Sequence, residues 1–156
     1  MRTRASLARG VLALGAALAI LGFTTGGVLA GRPAILTIAI DLDTGAETFT
    51  SDSPLLCPTG IATTSFEFGA GNFSSAGSFH LTKELICADG SGSFVIRVDA
   101  GTNFVVGDGT NGGWSVVPGS GTGAYAGLKG GGSIVGVNSD TPPIDLIDSY
   151  YGSLRL

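Results

Sequence analysis

Glycine is the feature that most limits how this chain can fold, because 27 of its 156 residues are glycine. Each glycine in a helix interior costs about 1 kcal/mol relative to alanine, so the composition favours strands joined by turns over helices. The chain is also long enough to bury a hydrophobic core without a partner. We therefore expect one glycine-rich, all-β domain.

The first thirty residues differ from the rest and predict an export signal. Arg2, Arg4 and Arg9 precede an uncharged run at residues 11–23, and Ala30 supplies the small residue expected before a signal cleavage site. A membrane anchor is the alternative, but glycines and threonines weaken the end of the uncharged stretch and no positive cluster follows it. The sequence thus predicts a signal peptide at residues 1–30, a secreted domain at residues 31–156 and no stable membrane insertion.

The net charge of the mature chain limits the class of partner that it can bind. Loss of residues 1–30 removes three of the eight basic residues and none of the twelve acidic ones, which leaves a formal charge of −7. The remaining basic residues are scattered along the chain, whereas a nucleic-acid partner needs a basic face. We therefore expect no nucleic-acid partner.

Cys57 and Cys87 are the only two cysteines. In an oxidising compartment an isolated pair is typical of a disulfide, and closing this loop would stabilise the fold by about 3–4 kcal/mol on a loop-entropy estimate. With His80 as the only histidine, the chain lacks the ligand pattern of a zinc site. We expect a disulfide and no bound metal.

Short runs of alternating or β-branched residues, separated by turn residues, recur along the mature chain. The clearest unit is a hairpin around the turn Asp89-Gly-Ser-Gly92. In the last run one face is shared by Leu146, Asp148, Tyr150, Gly152, Leu154 and Leu156. We expect extended structure at residues 34–40, 46–50, 61–68, 77–88, 93–99, 104–106, 114–117, 124–128, 130–135 and 144–156.

About eight strands at hairpin spacing, without a helix pattern, predict a barrel or a sandwich. We favour a single antiparallel barrel, because closure removes sheet edges and glycines suit the tight corners of a barrel. A sandwich is the alternative.

The most glycine-rich stretch, residues 119–132, contains the letters of a dinucleotide-binding fingerprint at Gly121, Gly123 and Ala126. That fingerprint must open a helix, and the glycines at 127 and 130–132 would break one. We therefore expect no nucleotide, and no other cofactor is indicated.

Three segments of the C-terminal half carry a family resemblance. They are Trp114-Ser-Val-Val117, Gly-Thr-Gly-Ala-Tyr-Ala-Gly-Leu-Lys-Gly at residues 121–130, and Asp148-Ser-Tyr-Tyr-Gly-Ser-Leu154, about a quarter of the chain. Together they resemble small exported bacterial proteins similar to the allene oxide cyclase and dirigent barrels. The resemblance implies an eight-stranded barrel with a central cavity for an apolar ligand and, in the plant members, cyclisation or stereochemical steering. No catalytic residue can be carried over, because the N-terminal half has no matching motif.

Asp148 is the leading candidate for chemistry in such a cavity. A carboxyl on the apolar face of the last strand should have a raised pKa and could act as a general acid. The alternatives are that it caps a bulge or pairs with Arg97. Glu67, Trp114 and Tyr125 are secondary candidates for lining a ligand pocket, with packing as the alternative role of the two aromatic side chains.

Two main hypotheses for function follow. The first is a secreted, non-catalytic binding or scaffold barrel that holds a small apolar ligand, because no reactive cluster stands out. The second is a cofactor-independent cyclase or isomerase acting on an apolar substrate, which requires an open and largely apolar pocket. Self-association into a homo-oligomer through exposed strand surface is a third, weaker option.

Overall fold

A computed structural model describes residues 31–72, 76–103 and 109–156 of the chain. These ranges form eight strands and one short 3₁₀ turn. The expected signal peptide at residues 1–30 and the strand expected at residues 104–106 lie outside the described residues. The strands are β1 (Arg32–Asp41), β2 (Ala46–Ser51), β3 (Thr59–Asn72), β4 (Ala76–Cys87), β5 (Ser93–Asn103), β6 (Thr110–Val116), β7 (Lys129–Asn138) and β8 (Leu146–Arg155).

The strands form a closed barrel in which sequence neighbours are spatial neighbours. Each strand pairs antiparallel with the next, and β8 pairs antiparallel with β1 through a register that includes Leu36 opposite Tyr150. Closure gives every described strand a neighbour on both sides, although β3 beyond Ala62 pairs only with β4, and it reduces the sheet edge that is open to another chain. The all-β, eight-stranded antiparallel barrel predicted from the sequence is confirmed, and the sandwich alternative is wrong.

Turn chemistry accounts for the tight connections. In the β4–β5 hairpin Gly90 and Gly92 have φ values of 75° and 144°, which residues with a side chain rarely adopt. In the β1–β2 hairpin the Asp41 carboxylate accepts hydrogen bonds from the backbone N–H groups of Asp43 and Thr44, both at 3.0 Å. The β4–β5 hairpin therefore forms where the sequence predicted it.

Strict alternation along the strands directs apolar side chains into the barrel. On β1, Leu36 and Ile38 are buried, and on β5, Phe94 and Ile96 are buried. β8 follows the expected phase, because Asp148, Tyr150 and Leu154 are buried while Tyr151 is exposed. The prediction was wrong for Leu156, which is exposed because β8 ends at Arg155.

The β6–β7 connection differs from the expectation of extended structure starting at residue 124. Residues Gly123–Tyr125 form a 3₁₀ turn, and β7 begins only at Lys129. The Tyr125 side chain reaches across one end of the barrel and packs on Phe94 with 5.4 Å between ring centroids. This long-range contact favours the turn and is not visible in the local sequence pattern.

Candidate ligand-binding cavity

The two ends of the barrel differ. One end is covered by the β2–β3 and β6–β7 connections, which contribute the buried side chains Leu56, Tyr125 and Leu128. There a disulfide joins Cys57 to Cys87, with 5.9 Å between the Cα atoms. The disulfide prediction is confirmed. The other end, which carries the β1–β2 and β7–β8 connections, holds a cavity of about 460 Å³.

Tyr125 ties together the covered end of the barrel. Its hydroxyl accepts a hydrogen bond from the Cys57 backbone N–H at 2.9 Å and shares one with Ser91 Oγ at 2.8 Å. The same oxygen lies 3.2 Å from Cys87 Sγ. A tyrosine hydroxyl that is buried in this way is satisfied by its protein partners, so the geometry gives Tyr125 a structural role at the disulfide.

The cavity wall is mostly apolar. Leu42 and Phe66 are each 67% exposed and stand at its mouth, while Phe79, Leu81 and Val98 line it as buried side chains. A cavity of roughly 300–1,000 Å³ with apolar walls and a few placed polar groups is typical of small-molecule sites. Ile40 and Leu146 complete the apolar lining.

A buried ion pair forms the first polar group of the cavity. Lys83, only 2% exposed, donates hydrogen bonds from Nζ to Glu47 Oε2 at 2.7 Å and to Thr64 Oγ1 at 2.6 Å. The Thr64 hydroxyl in turn donates to Glu47 Oε1 at 2.6 Å. Desolvating a lysine is tolerable only when its charge is paired and hydrogen-bonded, and this closed triangle meets that condition.

Asp148 and Tyr150 form the second polar group. The Tyr150 hydroxyl donates to Asp148 Oδ2 at 3.4 Å, a long hydrogen bond. Burial raises the pKa of Asp148, the nearby positive charge of Lys83 and the Tyr150 hydroxyl oppose that rise, and Glu47 adds to it. Burial, reinforced by Asp148, raises the pKa of Tyr150 well above its usual value, so the phenol stays protonated.

The structure places the other sequence candidates away from the cavity wall. Glu67 is exposed, beside an irregularity in the β3–β4 register between Phe66 and Phe68. Trp114 is buried and packs edge-on against Tyr150, with 6.1 Å between centroids, and its Nε1 donates to the Tyr151 carbonyl at 3.3 Å.

Neither alternative role considered for Asp148 describes what it contacts. Arg97 donates instead to Asp99 Oδ1 at 3.3 Å, and both of these side chains are about half exposed. Asp148 lies in regular β8, opposite Ile38 of β1 and Gly136 of β7. Among the candidates from the sequence, Asp148 is therefore the one that lines the cavity.

Sequence reasoning missed the Glu47–Lys83–Thr64 triangle. The signal that could have revealed it is the phase of β4, because Leu81, Lys83 and Leu85 occupy alternate positions and all three are buried. A lysine in phase with buried leucines must either bend the strand or bring its charge inside with a partner. Register supplies a hydrogen-bond partner, since Thr64 lies directly opposite Lys83, and Glu47 of β2 supplies the opposite charge.

Two further features of the described residues concern metals and membranes. The ligand atoms of Cys57, Cys87 and Asp89 lie within 4.8 Å of one another, but both sulfurs belong to the disulfide, whereas a metal binds the thiolate. No helix in the described ranges is long and apolar enough to cross a membrane.

Comparison with known proteins gives one match. The family model described as "Protein of unknown function (DUF3224)" matches residues 61–146, which include Thr64 and Lys83 and end two residues before Asp148. No curated protein and no solved structure matches the chain.

Proposed function

We propose that this chain, which belongs to the DUF3224 family of proteins of unknown function, is an exported barrel that binds a small apolar molecule in its cavity. The observation that supports this proposal is an apolar cavity of about 460 Å³ at one end of an otherwise packed barrel. A core of this kind normally fills its space with side chains. In this barrel the side chains leave the cavity unfilled, and Leu42 and Phe66 are exposed at its mouth.

A fluorescence titration tests the proposal. N-Phenylnaphthylamine is a neutral probe that brightens in apolar sites, and we expect saturable binding to the protein with one site per chain. Val98→Phe places a ring in the cavity and should abolish binding, because Val98 lines it and is fully buried. Ile61→Phe adds a ring at a position that is 53% exposed and should leave binding unchanged. Equal binding by all three proteins would contradict the proposal.

Export is part of the same proposal. The Cys57–Cys87 disulfide supports it, because such bonds persist mainly in oxidising compartments. We expect intact mass measurement on protein recovered outside the cell to give a chain that begins at Gly31. Recovery of a chain that still begins at Met1 would contradict removal of the signal peptide.

A cofactor-independent cyclase or isomerase, as the resemblance to allene oxide cyclase and dirigent barrels implies, is the second candidate. Asp148 favours it, because a buried carboxyl with a raised pKa lines the cavity and can deliver a proton to a bound molecule. The test is turnover of an apolar substrate, followed by chiral chromatography. Asp148→Asn should abolish turnover and retain binding. A variant with undiminished turnover would contradict the role of Asp148.

A further inference from the structure

Two buried polar atoms in the cavity wall differ from the rest. Within the part of the chain that the structure describes, Thr102 Oγ1 and Asp148 Oδ1 have no hydrogen-bond partner. Thr102 is 7% and Asp148 5% exposed, and both line the cavity. The Lys83 ammonium, buried in the same cavity, is hydrogen-bonded. A folded protein rarely leaves a buried polar atom unpaired, so these two atoms require an explanation.

The two atoms belong to one row that crosses four strands. Thr102 of β5 lies opposite Thr110 of β6, Thr110 lies opposite Gly136 of β7, and Gly136 lies opposite Asp148 of β8. A Cβ added at Gly136 would collide with Asp148 Oδ1 and would lie 2.8 Å from Thr110 Cβ. The missing side chain at Gly136 therefore lets the Asp148 carboxyl lie over the β7 backbone beside Thr110. We call Thr102, Thr110 and Asp148 the polar row.

The charges around the polar row limit what it can bind. The ammonium of Lys83 is already paired with Glu47, so the residues that line the cavity include no unpaired cation for an incoming carboxylate. They do include two carboxyl groups, those of Glu47 and Asp148. A threonine hydroxyl and a protonated carboxyl are both hydrogen-bond donors. Burial favours the protonated form of Asp148, with Glu47 acting in the same direction and Lys83 and Tyr150 against it. The Thr102 hydroxyl and the protonated form of the Asp148 carboxyl are therefore the donors that the row can offer, in an apolar surrounding.

We propose that the bound molecule is neutral and largely apolar and carries carbonyl-type oxygen, and that Thr102 and Asp148 of the polar row each donate a hydrogen bond to such an oxygen, a separate one for each donor. This inference rests on the proposed binding function and adds the chemical class of the ligand. A carbonyl oxygen has lone pairs and no proton, so it accepts a hydrogen bond from a donor and does not itself need an acceptor in the wall. The apolar remainder lies against Leu81 and Val98.

A matched pair of probes separates the carbonyl from the apolar body. Benzophenone carries the carbonyl, and its olefin isostere carries a CH₂ group in place of the oxygen with the same shape. Thr102 and Asp148 are three strand spacings apart, so the single oxygen of benzophenone meets one of the two donors. Either Thr102→Val or Asp148→Leu should therefore weaken benzophenone binding by about two- to tenfold, the usual effect of one lost hydrogen bond, and both should leave olefin binding unchanged or tighter. Asp148→Asn keeps a donor at the same position and should bind benzophenone nearly as well as the parent protein.

Controls keep the result interpretable. Thr63→Val makes the same chemical change at an exposed position on β3 and should alter neither affinity. Thr102→Val should melt no lower than the parent protein, because it removes an unpaired hydroxyl, so weaker ketone binding cannot be ascribed to unfolding.

The outcomes distinguish this inference from the function on which it rests. Binding of neither probe contradicts the binding function itself. Binding of both probes, with variants that weaken both equally, supports the binding function and overturns the carbonyl class. Tighter binding of the cationic analogue benzhydrylamine than of benzophenone also overturns it, because it would show an ionised Asp148 as the recognising group.

Discussion

Thr64 and Thr102 both point into the barrel, but they differ in their hydrogen bonding. Thr64 both accepts from Lys83 and donates to Glu47, whereas Thr102 Oγ1 has no partner among the described residues. Thr64→Val should lower the free energy of unfolding by about 1–3 kcal/mol, because it leaves buried charges short of hydrogen bonds. Thr102→Val should leave it unchanged or raise it by up to about 1 kcal/mol. Urea unfolding of the two variants checks this, and equal losses would contradict the assignment.

Asp148 should make stability depend on pH. Its pKa is raised in the folded protein above the usual 3.8, so its contribution to stability is full below about 3.8 and is lost as pH rises through the folded-state pKa. Asp41, Asp89 and Asp99 have lowered pKa values, so the stability that they contribute is lost only as pH falls below about 3.8.

Substitution isolates the Asp148 contribution. Compared with the parent protein, Asp148→Asn should gain stability as pH rises from about 3.8 through the folded-state pKa of Asp148 and gain no more above it, since the amide has no ionised form to desolvate. Urea unfolding across that range gives the difference. A constant difference between the two proteins would show that Asp148 does not titrate there.

For single residues, the sequence predicted whether a side chain points into or out of the barrel better than it predicted which residue that side chain contacts. Alternation along β8 placed Asp148 inside correctly, because phase depends only on local residues. Glu67 was a pocket candidate and is exposed, in keeping with its position out of phase with Thr64. The Lys83–Glu47 pair joins residues 36 positions apart, and its existence depends on barrel register that no local pattern contains.

Glycines within strands make room for a large side chain in the barrel. Trp114 of β6 lies opposite Gly132 of β7, which lies opposite Gly152 of β8. A Cβ at Gly152 would collide with the Gly131 carbonyl oxygen and would come within 2.9 Å of Trp114 Cζ2. Gly152→Ala should therefore destabilise the protein by about 1–3 kcal/mol through overpacking.

Gly113→Ala is the matched control for that substitution. The nearest atom to its added Cβ is the Gly132 carbonyl oxygen at 3.6 Å, which is ordinary contact, so we expect a change of at most about 0.5 kcal/mol, or a small gain from a less flexible unfolded chain. Thermal unfolding compares the two. Equal losses of stability in Gly152→Ala and Gly113→Ala would contradict the packing explanation for Gly152.

Elements with strong local signals were predicted well. The β4–β5 hairpin forms around Gly90 and Gly92 as expected, because positive φ is a local requirement that glycine meets. The expectation of extended structure from residue 124 failed, because the contacts of Tyr125 with Cys57 and Phe94 are made across the barrel end. Tertiary contacts of this kind override local propensity.

The whole molecule divides its tasks between the two barrel ends. The Cys57–Cys87 disulfide and Tyr125 hold one end, and the cavity opens at the other. Cys57→Ser combined with Cys87→Ser should lower the free energy of unfolding by about 3–4 kcal/mol, from the loop entropy regained by the unfolded chain. Probe affinity should change little under native conditions, because none of these residues lines the cavity. Loss of binding in a folded double variant would contradict this division.

The sequence favoured a closed barrel, but it did not exclude a sandwich. The β1–β8 pairing, which includes Leu36 opposite Tyr150, joins the two ends of the domain. Strand count and alternation are the same in both architectures, so only this long-range register decides between them. The cavity volume likewise follows from closure and could not be predicted from composition.

The central claim is that a small apolar molecule binds inside the barrel. Isotope-filtered nuclear Overhauser spectroscopy on the protein saturated with benzophenone tests it most directly. We expect contacts from the probe to the methyl groups of Leu81, Val98 and Leu146, all of which line the cavity. Contacts only to the exposed side chains Val135 and Val137 on the outer surface, or no contacts at all, would contradict the account.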